Sequence, residues 1–66
     1  MEIGKVIREL HKESGMKQND LAKLLCLSAD TISCWELGKG FPSIESIIRL
    51  TQIFGVTADY LLGIEK

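Results

Sequence analysis

Apolar residues recur at helical spacing along the N-terminal part of the chain. They stand at positions i, i+3, i+4 and i+7, so a helix would carry them all on one side. These residues are Ile3, Val6, Ile7 and Leu10. Charged residues occupy the other side, and Gly15 follows as a stop signal, because glycine adopts the left-handed conformation after a helix end at little cost. The pattern predicts a first amphipathic helix over about residues 2–14.

A second segment predicts a helix over about residues 18–25. Its apolar positions again fall at helical spacing, and Asp20 in its first turn suits the positive end of the helix dipole. The predicted buried side consists of Leu21, Ala22, Leu24 and Leu25. Only Cys26-Leu27 separates this helix from the next one, so the two helices must meet at a large angle, as in a helix-turn-helix.

A third helix is predicted over about residues 29–37, between a favourable N-cap, Ser28, and a glycine that stops it. Ile32 and Trp35 stand three positions apart and face inward. The opposite side carries small and polar residues. A capped helix with such a side can enter the major groove of DNA, which is about 12 Å wide. The second and third helices together, about residues 18–37, therefore predict a helix-turn-helix.

The C-terminal third of the chain predicts two more helices. Ser43 caps the first of them, which ends at Gly55, and Thr57 caps a short last helix over about residues 58–62. The predicted buried stripe of the fourth helix consists of Ile44, Ile47, Ile48, Thr51 and Phe54. No segment alternates with period two, so no sheet is expected. The pattern predicts an all-α, compact five-helix fold that forms a single domain over residues 1–66.

Composition narrows the range of functions. The chain has 66 residues, 45% of them hydrophobic, and a core of that size leaves little room for the ~300 Å³ cleft of a typical enzyme. Two cysteines and one histidine are too few for a four-coordinate zinc site, so we expect no cofactor, no metal and no catalytic residues. No apolar run reaches the ~18 residues that a membrane span needs. We expect a cytoplasmic protein with reduced thiols.

The charge balance does not by itself indicate nucleic acid. Eight basic and nine acidic residues give a net charge of −1, whereas a strongly basic domain would have pointed to DNA directly. Any DNA binding must therefore depend on where the individual charges lie.

Several short motifs, in this order and spacing, resemble the lambda-repressor-like, Cro-type helix-turn-helix family, also called the xenobiotic-response-element type. The resemblance covers nearly the whole chain, and the combination of motifs makes it specific. The matching segments are Gln18-Asn19-Asp20-Leu21-Ala22, Leu27-Ser28, Thr31-Ile32-Ser33, Trp35-Glu36-Leu37-Gly38-Lys39, Pro42-Ser43 and Phe54-Gly55-Val56-Thr57-Ala58-Asp59-Tyr60-Leu61-Leu62. The resemblance implies a DNA-binding domain in which the third helix is the recognition helix, the one that enters the major groove.

The resemblance also implies roles for individual side chains. Those of the recognition helix that would face base edges are Ala29, Asp30, Ser33 and Cys34. Those expected at backbone phosphates are Gln18, Thr31, Lys39 and Ser43. Lys17 departs from the family, because it replaces a small capping residue, and its own charge is expected to bring it near the phosphates as well. The base-facing set lacks arginine, glutamine and asparagine, which are the strong readers of guanine and adenine. Sequence selectivity is therefore expected to be modest, or to rest on DNA shape and on the cations Lys39, Lys17, Arg8 and Arg49.

Among the positions that depart from the family pattern, His11 and Cys26 have structural consequences. His11 stands where the family has an arginine that pairs with the glutamate matching Glu36. Two alternatives follow, either a charge-assisted pair between His11 and Glu36 or an exposed, neutral histidine. Cys26 stands at a turn position that is usually glycine, and a positive φ there would strain its backbone.

The sequence as a whole predicts a sequence-specific transcription regulator, a prokaryotic or phage repressor that binds double-stranded DNA as a homodimer with half-sites about 10 base pairs apart. The predicted dimer contact consists of Tyr60, Leu61, Leu62 and Ile64. In the alternative, these leucines only close the core. A second interpretation is an antitoxin-like or protein-interaction module that uses Leu37 and the C-terminus and binds DNA weakly on its own.

Overall fold

The computed structural model describes residues 3–64, which form five α-helices joined by short turns. The helices are α1 (Ile3–Glu13), α2 (Gln18–Leu25), α3 (Ala29–Glu36), α4 (Ile44–Phe54) and α5 (Ala58–Leu62). No residue in this range belongs to a strand, so the all-α, five-helix prediction is confirmed. Glu2, included in the first predicted helix, lies outside the described residues. None of the helices in the described range is long and apolar enough to cross a membrane.

Three of the helices begin at a hydroxyl cap. In each case the N-cap side chain accepts a hydrogen bond from the backbone N–H three residues later, which satisfies one of the free donors in the first turn. The pairs are Ser28 with Thr31 at 3.3 Å, Ser43 with Ser46 at 3.2 Å, and Thr57 with Tyr60 at 3.1 Å. All three caps were predicted, because capping depends only on residues that are close in sequence.

The core lies where α3 packs against both α1 and α2, and α4 and α5 close it from the other side. Its buried hydrophobic residues are Ile3, Ile7 and Leu10 of α1, Leu21, Ala22 and Leu25 of α2, Ile32 and Trp35 of α3, Leu50 of α4 and Leu61 of α5. Burying a large aliphatic side chain contributes about 1.5–3 kcal/mol. Because α3 buries only its Ile32 and Trp35 side, its opposite side stays open to solvent.

The predicted inward face of α4 is partly wrong: Ile47 and Phe54 pack against the core as expected, but the other two isoleucines do not. Ile44 and Ile48 are 79% and 52% exposed, whereas Leu50, which the predicted stripe left out, is fully buried. Apolar residues occur on most sides of α4, so more than one stripe fits its sequence, and packing against α2 and α5 selects the side that contains Leu50. Leu24 of α2 was also expected to be buried but is half exposed, because Leu21 and Leu25 already fill the core side of that helix.

The helices α1 and α3 come into close backbone contact at Gly4. A Cβ atom at this position would lie 1.9 Å from the carbonyl oxygen of Trp35, a distance that no side chain can occupy. Gly4 therefore allows the start of α1 to rest directly on the backbone at the end of α3, and this contact helps to orient α3.

Candidate nucleic-acid interface

The outer side of α3 carries the four side chains predicted to face base edges. Asp30 and Cys34 are exposed, while Ala29 and Ser33 are partly buried at the margins of the same side. The opposite side is anchored in the core by Ile32 and Trp35. The structure therefore brings the predicted base-reading residues together on one accessible helix face.

The turn between α2 and α3 is closed by a Schellman motif, a pair of backbone hydrogen bonds that ends a helix. The N–H of Leu27 donates to the carbonyl oxygen of Ala22 at 2.9 Å, and the N–H of Cys26 donates to that of Lys23 at 3.2 Å. Cys26 has φ 58°, so it adopts the left-handed conformation that glycine usually supplies at this turn position. With the Ser28 cap following at once, the turn fixes the N-terminus of α3 at the surface.

A cleft of about 380 Å³ opens between α1, the start of α2 and the second half of α3. It brings Gln18, predicted to bind phosphate, beside Ser33, predicted to face a base. Arg8 and Lys12 line the same cleft from α1 and are exposed. Arg8 was expected from the sequence to contribute to selectivity, whereas Lys12 was given no role. The spacing of four residues between them, which puts both on one side of α1, was the signal that could have identified Lys12.

Of the other predicted phosphate contacts, Thr31 lies in the first turn of α3, Lys39 follows the end of α3, and Lys17 precedes α2. Lys17 is exposed, and its backbone N–H donates to Asp20 Oδ2 at 3.0 Å. The hydroxyl of Thr31 lies 3.1 Å from that of Ser28, within the N-cap of α3. Lys39 is exposed in the connection from α3 to α4.

Ser43 lines a second cleft, of about 300 Å³, which lies between the start of α4 and the turn before α3. Cys26 and Leu27 line this cleft from the turn, and Arg49 lines it from α4. The first cleft flanks the second half of α3 and the second lies beside the turn that precedes it, so the two do not merge into one site.

His11 and Glu36 form a buried link between α1 and the end of α3. His11 Nε2 lies 2.9 Å from Glu36 Oε2, and the two side chains are only 5% and 8% exposed. The other ring nitrogen, Nδ1, lies 2.9 Å from the carbonyl oxygen of Met16 in the turn before α2. The alternative of an exposed histidine is therefore wrong. The imidazole ties α1, the following turn and α3 together.

The C-terminal residues predicted to form a dimer contact separate into two groups. Tyr60 and Ile64 are exposed, and Leu62 is partly buried. Leu61 is fully buried among the core residues, because α5 turns this side chain toward α1 and α4. Leu61 therefore closes the core, and its inclusion in a surface contact was an error.

Both cysteines are unpaired and exposed, Cys26 in the turn and Cys34 on the outer side of α3. Between residues 3 and 64, no three His, Cys, Asp or Glu side chains come together in a way that could hold a metal ion.

Comparison with known proteins extends these findings. The sequence model of a family described as Helix-turn-helix matches residues 7–61 of the chain. A crystal structure of a transcriptional regulator from Listeria innocua superimposes with a TM-score of 0.90 at 31% identity, covering 97% of this chain and 60% of that one.

Similar curated proteins are also regulators of transcription by name. The HTH-type transcriptional activator BcrR of Enterococcus faecalis is 38% identical over 100% of this chain and 32% of its own length. The HTH-type transcriptional regulator ImmR of Bacillus subtilis is 29% identical over 96% of this chain and 50% of its own. DdrOP3 of Deinococcus deserti, also an HTH-type transcriptional regulator, is 33% identical over 98% of this chain and 51% of its own length. The chain thus spans about a third to a half of the curated relatives it matches.

Proposed function

The chain belongs to the lambda-repressor-like helix-turn-helix family, and from this membership we propose that it is a sequence-specific DNA-binding regulator of transcription. The observation that carries the proposal is the accessible outer side of α3. The opposite side of this helix is anchored in the core by Ile32 and Trp35. The names of the relatives support the same class of function. We expect a non-enzymatic protein that acts in the cytoplasm of a prokaryote.

In the proposed mode of binding, α3 lies in the major groove with its N-terminus toward the base edges. Asp30 can accept a hydrogen bond from cytosine N4, and the small side chains of Ala29 and Cys34 can contact a thymine methyl group. Ser33 can either donate to a base or accept from one. Each of these contacts is modest, so phosphate contacts and DNA shape would supply the rest of the selectivity.

The phosphate contacts would hold α3 in register. Gln18 at the start of α2 and the first amide groups of α4, next to Ser43, each offer donors at a helix N-terminus. Lys17 and Lys39 add positive charge, and Thr31 adds a hydroxyl at the cap of α3. These groups carry no sequence information, but they fix the angle at which the outer side of α3 meets the bases.

We further propose that the protein binds as a homodimer, because one such domain covers only a half-site. Tyr60, Leu62 and Ile64 are the candidate contact, since Tyr60 of α5 and Ile64, just after the end of α5, are both exposed. Two copies related by a two-fold axis would bind half-sites about 10 base pairs apart. Such a dimer bound over a promoter would act as a repressor. One relative is named an activator, so a promoter-reporter assay must determine the direction of regulation.

The test is selection of binding sequences from a random duplex pool, with the wild type and two variants. Asp30→Ala removes an acid from the outer side of α3, and Glu9→Ala removes one from an exposed position of α1. The wild type should enrich a two-fold symmetric site. Asp30→Ala should change the preferred base at one position in each half-site, and Glu9→Ala should leave the consensus unchanged. Failure of the wild type to enrich any sequence would refute the proposed function.

A second candidate function is binding to another protein, as in an antitoxin-like module. The observation that favours it is a set of large apolar side chains at the surface, Leu37, Phe41, Ile44 and Ile48. Single exposed apolar residues are ordinary, but four within a short stretch of chain are compatible with a partner. This function predicts weak DNA binding by the isolated chain and recovery of binding when a stoichiometric partner is added.

A further inference from the structure

The basic residues of α1 are segregated on one flank of the helix. Lys5, Arg8 and Lys12 stand at positions i, i+3 and i+7, so they form a row along one side, which we call the basic ridge. The two acidic residues of the described helix, Glu9 and Glu13, fall on the other flank. All five side chains are exposed. The helix therefore has a positive and a negative side although its charges nearly cancel.

The basic ridge lies beside α3. Each of its end members follows directly after a residue that contacts α3, since Gly4 rests on Trp35 and His11 on Glu36. Lys5 lines a shallow cleft with Leu37 and Phe41, whereas Arg8 and Lys12 line the larger cleft with Gln18 and Ser33. The ridge thus forms one wall of the openings along the second half of α3.

The charges of the ridge are available to a ligand. None of its three members forms an ion pair with any residue between 3 and 64. Glu36 is the acidic residue that lines both clefts, and its Oε2 already contacts His11 at 2.9 Å. Both openings therefore combine cationic side chains with an acid that is already engaged, which favours an anionic ligand.

We propose that the basic ridge binds consecutive phosphates of the DNA strand that borders the recognition helix. This inference rests on the proposed function, and it adds Lys5, Arg8 and Lys12 to the residues expected from the family resemblance. The seven-residue span of the ridge is about 10 Å long, enough to reach more than one phosphate. The ridge also accounts for how a chain of net charge −1 can attract DNA, because its cations line the clefts beside α3, whereas Glu9 and Glu13 line neither of these clefts.

Titration of affinity against salt tests the ridge directly. The logarithm of the binding constant falls with the logarithm of salt concentration by about 0.9 for each phosphate contact. We would measure this slope by fluorescence anisotropy on the selected duplex for Arg8→Gln and Lys12→Gln. Lys23→Gln is the matched control, since Lys23 is an exposed lysine of α2 that lines neither opening. A further variant, Arg8→Lys, retains the charge.

Arg8→Gln and Lys12→Gln should each reduce the slope by about 1 for each protomer bound. Each should also weaken binding equally on all sequences. Lys23→Gln and Arg8→Lys should keep the wild-type slope, and circular dichroism should show the same melting temperature for all four variants. If both Arg8→Gln and Lys12→Gln kept the wild-type slope, the proposal that the ridge binds phosphates would be overturned, but the proposed function would stand. If the wild type bound no duplex at any salt concentration, the proposed function would fall and the ridge with it.

Discussion

At the scale of single residues, Cys26 shows how a local rule and a sequence departure combine. The turn requires a left-handed residue, and cysteine adopts φ 58° there because the hydrogen bonds from Cys26 and Leu27 over-determine the geometry. His11 illustrates the opposite case. Its contact with Glu36 joins residues 25 positions apart and exists only once α1 and α3 have packed. The first feature follows from local sequence, and the second from the fold.

Cys26→Gly should stabilise the protein by about 1 kcal/mol. Glycine takes positive φ without steric cost, and this relief exceeds the entropy that glycine adds to the unfolded chain. Cys26→Ala is the control, because it removes the thiol but keeps a Cβ in the left-handed conformation. Urea denaturation would give both free energies of unfolding, and a value for Cys26→Gly below that of Cys26→Ala would contradict the explanation.

At the scale of helices, the contact between α1 and α3 decides how the recognition helix is presented. The backbone of α1 at Gly4 touches the carbonyl of Trp35, and the His11–Glu36 link holds the same two helices at a second point. Two contacts of this kind leave α3 little freedom to rotate. The orientation of its outer side is thus a property of helix packing, although the identity of that side follows from the spacing of Ile32 and Trp35.

Gly4→Ala should destabilise the fold by about 1–3 kcal/mol and weaken DNA binding. Alanine is the better helix former by about 1 kcal/mol, but its Cβ would collide with backbone and force α1 away from α3. Gly40→Ala is the matched control, since a Cβ there would meet nothing within 4 Å. Thermal melting and anisotropy on the selected duplex would measure both effects. Equal melting temperatures for the two variants would contradict the close approach.

At the scale of the whole molecule, charge and apolar surface are distributed unevenly. The chain is nearly neutral, yet Arg8 and Lys12 gather at one cleft and most of the carboxylates lie elsewhere. Exposed apolar residues occur on α4 and again at the C-terminus, at Ile44 and Ile64 for example. Because these two apolar regions lie outside the core, a second copy or another protein could bind at either of them.

Ile64→Asp should weaken binding to a two-fold symmetric site by about a hundredfold while leaving binding to a single half-site unchanged. The reason is that a dimer gains affinity from a high effective concentration of its second domain, and a buried charge at the contact would abolish this gain. Leu24→Asp places the same charge at a half-exposed apolar position of α2, outside the proposed DNA and dimer contacts, and serves as the control. Gel-shift titrations would measure the affinity of both variants for full sites and for half-sites. If the two variants lost the same affinity for the full site, a C-terminal dimer contact would be contradicted.

The sequence alone determined the features that depend on neighbouring residues. The five helices, the caps at Ser28, Ser43 and Thr57, and the left-handed turn at Cys26 follow from hydrogen bonds and φ preferences that span a few positions. The outer side of α3 was also predictable, because Ile32 and Trp35 leave a single choice for its inner side. The family resemblance supplied the list of expected DNA contacts, of which the selection experiment tests Asp30.

Only the tertiary structure decided which apolar residues are buried where the local sequence allows more than one choice. The sequence of α4 is apolar on most sides, and packing chose Leu50 rather than Ile44 and Ile48 for the core. Of two adjacent C-terminal leucines it buried Leu61 completely and left Leu62 partly accessible. Packing also joined His11 to Glu36 and set the cations of α1 beside α3. The physical reason is that burial and long-range contacts depend on the angles between helices, and these angles are fixed only when all five pack together.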